Sequence, residues 1–165
     1  MKRLALLLLV LPALGSCSYD FGIKISIVPK NNIEADCFTR TVEESIPDIR
    51  YDGDNPTEYH HHFNFHVSEE FKEKLDKLEV GLSVKRVGAI ESSFRMKGER
   101  ITEILFSFMY DENKIKNLSF AEVDKLKAFA KPYFSALRSL PEMLKKKCGL
   151  DAKTVNVQCT GKLCD

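Results

Sequence analysis

The chain has 165 residues, 25 Lys and Arg against 24 Asp and Glu, a hydrophobic fraction of 44% and five cysteines. That length suits one domain once a leader is removed. A charge so close to balance excludes electrostatically led recognition, so nucleic acid and anionic lipid drop out as targets.

The first sixteen residues have the three parts of an export signal. Lys2 and Arg3 form a positive start, Leu4 through Leu11 an apolar run, and Gly15 and Ser16 a small-residue cleavage region. The run is too short to span a bilayer, which takes roughly 20 apolar residues. The bland reading is a secretory signal cut near Ser16 or Cys17. The sharper one comes from Leu14-Gly15-Ser16-Cys17, which resembles the lipobox of bacterial lipoproteins. That resemblance covers this segment alone. It implies a signal peptide over 1–16, lipidation of Cys17 and attachment to a membrane the chain does not cross. It also implies an address: Ser18, where an Asp would favour the inner membrane, points to the outer membrane. Residues 17–21 are then the lipidated N-terminus with a short tether, and 22–165 a single domain. With Lys2 and Arg3 gone, 23 basic residues face 24 acidic ones, a net charge of about −1.

Cys17 apart, four cysteines remain: Cys37, Cys148, Cys159 and Cys164. An even number in an exported chain predicts two disulfides. Three pairings are possible, and the expected one is Cys37–Cys148 with Cys159–Cys164. The first would close a loop of about 110 residues, worth up to ~4–5 kcal/mol in the chain-entropy account. The spacing of Cys159 and Cys164 does not match a Cys-x-x-Cys redox dithiol.

In chain order, Phe21 to Val28 alternates, with Phe21, Ile23, Ile25 and Ile27 on one face, and predicts a half-buried strand. Pro29 ends it. Asn31 or Asn32 is the expected cap of a helix reaching Ile46, with Cys37 on its inward face. Asp48 to Glu58 reads as a solvated loop; its oxygen-bearing side chains raise calcium, but the spacing is not that of an EF-hand. All four histidines follow, in Tyr59-His60-His61-His62-Phe63-Asn64-Phe65-His66-Val67. As a strand, this run buries Tyr59, His61, Phe63, Phe65 and Val67 and places His60, His62, Asn64 and His66 on the opposite face. His60 and His62 then stand about 7 Å apart at the backbone, close enough to share a metal such as zinc. His66 is ~13 Å from His62 and out of reach. Asp52 or Asp54 is the available third ligand if its loop folds back. The bland alternative is the polar face of a sheet.

Ser68-Glu69-Glu70 opens a short helix with Phe71, Leu75 and Leu78 on one side. Three alternating strands are predicted next: Leu78–Val84, Ile90–Met96 and Ile104–Tyr110, turning at Val87-Gly88 and Lys97-Gly98. The last is apolar on both faces and suits a central position. Ser119 and Glu122 form a capping box. From there an apolar stripe runs through Phe120, Val123, Leu126, Ala130, Tyr133, Phe134, Leu137, Leu140 and Leu144 to Cys148, ending at Gly149. Pro132 and Pro141 are expected to bend or break this helix. A strand from Lys153 to Cys159 closes the chain.

The expected fold is α+β: a mainly antiparallel sheet, with the N-terminal helix and a long, Pro-bent C-terminal helix packed on one face. The chain has no phosphate-binding Gly loop, no Gly-x-Ser-x-Gly and no His-Glu-x-x-His, so no catalytic residue is assigned. Two functional classes follow. One is a membrane-tethered binder of another envelope or periplasmic protein, as an inhibitor, an immunity protein or an assembly accessory. The other is a metal-dependent periplasmic protein using His60 and His62.

Overall fold

A computed structural model describes residues 21–80, 88–110 and 115–164. Its frame is a six-stranded sheet in the order β2-β3-β4-β5-β1-β6, antiparallel throughout. The strands are β1 (Phe21–Pro29), β2 (Ile49–Pro56), β3 (His60–Val67), β4 (Gly88–Lys97), β5 (Arg100–Tyr110) and β6 (Ala152–Thr160). The helices that lie wholly among the described residues are α1 (Ala35–Ser45), α2 (Glu69–Asp76) and α3 (Phe120–Cys148). This is the α+β fold that the sequence predicts.

The period-2 pattern decides which face of the sheet is covered. Ile23, Ile25 and Ile27 point to one side of β1 and are at most 1% exposed. Across the ladder they meet Phe108, Phe106 and Ile104 of β5. β5 lies between β4 and β1, the interior position its two apolar faces call for. On this side Phe38 of α1 sits between Phe63 and Phe94, each ring centroid 4.9 Å away. Phe71 of α2 stands 5.0 Å from both Phe129 and Tyr133 of α3. At the start of β1, Gly22 has φ +136°, and a Cβ there would lie 2.2 Å from the Phe108 carbonyl oxygen, so only glycine fits.

The long helix starts and stops where its sequence says. Ser119 accepts from the Glu122 amide, Glu122 accepts from the Ser119 amide, and Gly149 turns left-handed at φ 66°. α3 nevertheless runs as one element of 29 residues through Pro132 and Pro141. Two disulfides fix the frame. Cys37–Cys148, with Cα atoms 5.8 Å apart, ties α1 to the end of α3; Cys159–Cys164 closes the turn after β6.

Three expectations change. The Asp48–Glu58 loop is an edge strand, β2, paired with β3 from Ile49↔Val67 to Pro56↔His61. Its Gly, Pro and Asp content marks a bulge between Tyr51 and Gly53 and a charged outer edge, devices that protect an edge strand. α1 begins at Ala35 with Glu34 as an N-cap that makes no side-chain bond. Asn31 and Asn32 instead bridge distant backbone: Asn31 bonds the Gly149 carbonyl and the Asp151 amide, Asn32 the Glu99 carbonyl and the Ile101 amide. In the predicted Leu78–Val84 strand, Leu78 is in a turn and Val80 in a bend, with Glu79 between them at φ 54°; the remainder lies outside the described residues.

Candidate functional site

Helices α1, α2 and α3 pack on one side of the sheet. The opposite side carries the alternate residues of each strand, and no described helix packs over it. Its residues can be read in rows, in which Lys24, His62, Glu91 and Arg95 are exposed while Ser93 and Ser107 are buried. His60 stands opposite Arg95, and Arg95 opposite Glu103. His62 stands opposite Ser93, which stands opposite Leu105, then Ser26 and Asn156. Glu91, Ser107, Lys24 and Gln158 form a further row. Arg95 pairs with Glu103 at 2.8 Å, and Ser26 donates to the same carboxylate at 2.5 Å. Between β3 and β4 lies a shallow cleft of about 400 Å³, lined by His60, His62, Asn64, Glu91, Ser93 and Arg95, with Leu105 also in its wall.

The strand reading placed His60 and His62 side by side, and they are so placed. Their rings stack with centroids 5.4 Å apart at 20°. The two carboxylates considered as further ligands go elsewhere. Asp54 is in register with Phe63, on the helix-covered side, and contacts the His61 Nε2. The His61 bond, which outweighs the opposing effect of burial and is joined by the His61 charge and a bond from Tyr51, holds the Asp54 carboxyl below its usual range. Asp52 approaches His66, at 4.0 Å between two largely exposed groups. Among the described residues no three His, Cys, Asp or Glu side chains converge as a metal-binding group. The imidazole pair therefore offers two ligands, where zinc sites take three or four from protein. Asp48, part of the loop raised for calcium, is likewise engaged elsewhere.

Asp48 is the polar centre that sequence reading missed. It sits at φ 59°, accepting from the Tyr133 hydroxyl and from Lys74 Nζ, each at 2.6 Å. Burial pushes its carboxyl up, but the bonds from Lys74 and Tyr133, with the charges of Lys74 and Arg50, outweigh that and hold it below the usual range. Burial first, then the bond to Asp48, push the Tyr133 phenol strongly upward. The trio joins the start of β2 to α2 and α3. It is a structural latch on the covered side, away from the cleft.

Among the described residues no hydrogen bond links a histidine ring to a serine, threonine or cysteine side chain. The face over which no described helix packs presents both donors and acceptors, among them Lys24, His62, Asn64, Glu91 and Arg95, all exposed. Cys17 lies outside the described residues, and no described helix is long and apolar enough to cross a membrane. No protein-family model, curated protein or solved structure matches the chain.

Proposed function

We propose that this chain is a lipid-anchored protein of the bacterial envelope, held by Cys17 on the outer membrane and facing the periplasm, that binds another envelope or periplasmic protein through the helix-free face of its sheet. The observation that carries the reading is the face itself. A sheet face over which no described helix packs, with Lys24, His62, Asn64, Glu91 and Arg95 exposed on it, supports recognition of a protein surface by donors and acceptors of both kinds. The disulfide between α1 and α3 holds the covered side together, which lowers the ordering cost of association.

The test uses soluble residues 18–165, with both disulfides formed, as bait in an envelope and periplasmic extract of the source organism. Mass spectrometry should find a protein enriched in proportion to bait. A hydrolase or toxin makes the role inhibition or immunity; envelope assembly components make it an accessory. Nothing above background, with or without mild crosslinking, contradicts the proposal. The anchor has its own test: Cys17→Ser should move the protein from the membrane fraction to the soluble periplasm. Unchanged membrane partition would overturn that part.

A further inference from the structure

We infer that β6 is a self-association edge, through which two copies of the chain join their sheets antiparallel about a two-fold axis at Asn156.

The two edges of the sheet are built differently. β2 carries Arg50, Asp52, Asp54, a bulge at Gly53 and Pro56, the features that discourage strand addition. β6 has its one irregularity and its one charge together at its start, where the register with β1 skips Lys153, and from Thr154 to Thr160 it has neither. It is nine residues long, Ala152-Lys153-Thr154-Val155-Asn156-Val157-Gln158-Cys159-Thr160, with one charge and no proline. Its inner edge pairs with β1 over nearly its whole length, and among the described residues no strand pairs with its outer edge. The stretch Thr154–Gln158, β-branched in part and uncharged, with no described strand on its outer edge, is a template for another strand.

The covered side adds a second observation. Val155 and Val157 lie opposite Ile27 and Ile25, each 1% exposed, yet the valines are 46% and 38% exposed. The helices that bury β1 leave β6 uncovered. A strand added beside β6 with its own apolar residues on that side would cover both.

The identity of the occupant comes from the sequence of the strand. Thr-Val-Asn-Val-Gln, residues 154–158, is a chemical palindrome about Asn156. With Asn156 on the two-fold, Val155 meets Val157 of the second copy and Val157 its Val155. Thr154 meets Gln158, and the two Asn156 amides face each other on the helix-free side. Each of these pairs matches apolar with apolar or polar with polar, as favourable cross-strand pairs require. The one charge, Lys153, meets Cys159 of the second copy, so no like charges oppose. The surface is self-complementary, which is what an isologous dimer needs. A single strand pair buries less than a standard interface, so the dimer is weak, with a dissociation constant on the order of 10–500 µM. Confinement to a membrane surface would raise the effective concentration.

The experiment is sedimentation velocity on the exported, purified Cys17→Ser protein from ~1 to ~1,000 µM, beyond the expected range. The inference predicts a concentration-dependent monomer–dimer equilibrium. Val157→Lys, at an exposed position, should weaken it at least about tenfold, since an edge lysine opposes pairing. Its melting temperature should be kept. Asn156→Cys, at the axis, should form a disulfide-linked dimer under mild oxidation. Thr154→Cys should not, because its counterpart lies four residues along the strand, roughly 13 Å away. A monomer at every concentration, a dimer indifferent to Val157→Lys, or equal crosslinking at 154 and 156 would overturn it. None of these readouts depends on the lipid anchor or on a partner protein.

Discussion

Two groups of side chains carry the polar chemistry of this molecule, and they serve different ends. Asp48 is a latch. Its side chain is 12% exposed and anchors Tyr133 and Lys74. Tyr133→Phe removes a hydrogen bond to a charged group and should cost about 1.5–3 kcal/mol in urea unfolding. The pH dependence has a definite sign. The folded Asp48 carboxyl is held below its unfolded value near 4, so its contribution is full above that value and is lost as pH falls through the folded one. Asp48→Asn should therefore lower stability at neutral pH and flatten its loss in acid; an unchanged acid limb would refute the latch. His60 and His62 are different: they stack on the open face without a convergent carboxylate. The zinc content of the purified protein should stay below one per chain and be unaltered by His60→Ala/His62→Ala. Stoichiometric zinc lost in that variant would restore the metal reading. The histidine pair was legible because a strand puts residues two apart on one face. The latch was not, since Asp48 and Tyr133 are 85 residues apart in sequence.

At the scale of elements, legibility tracked how locally each signal was encoded. The isoleucines of β1 and the capping box of α3 are patterns within a few residues, and both elements stand where those patterns put them. β2 escaped because its Asp, Asn, Gly and Pro residues are turn formers by composition. Pairing with β3 overrides that preference, and the turn formers become the bulge and the guarded edge. Asn31 and Asn32 were read as caps for the same reason: a local rule was applied to side chains whose partners are distant. The two disulfides act on very different spans. Cys37–Cys148 encloses a sequence separation of 111 and Cys159–Cys164 one of 5. On the chain-entropy account, removing the first by double Cys→Ala should cost ~4–5 kcal/mol and removing the second ~2 kcal/mol, read by thermal or urea unfolding. A larger effect from the short loop would show that local packing around the bond, not loop closure, governs these bonds.

At the scale of the whole molecule, the sheet separates two jobs. On one side α1, α2, α3 and a covalent tie hold the fold together; over the other no described helix packs. Only three residues lie between Cys17 and Phe21. If Cys17 carries a lipid, the start of β1 stays within roughly 15 Å of the bilayer. Two copies joined at β6 would have their anchored ends pointing opposite ways along the strands. Both lipids then share one bilayer only with the sheet lying along it and the two-fold perpendicular to it, and partner binding requires the helix-free face to look outward. Alternation let the sequence specify that face, and the apolar stripes of the N-terminal and C-terminal helices specified what covers the other.

The measurement that tests the central claim most directly is a paired capture. Soluble residues 18–165 and a His62→Glu/Asn64→Lys/Glu91→Lys variant, altered only at exposed positions of the helix-free face, are used as baits in the same extract. Their melting temperatures are matched first. The account predicts a protein retained by the parent and lost, by about tenfold or more, from the variant. Equal retention by both baits, or none by either, would contradict it.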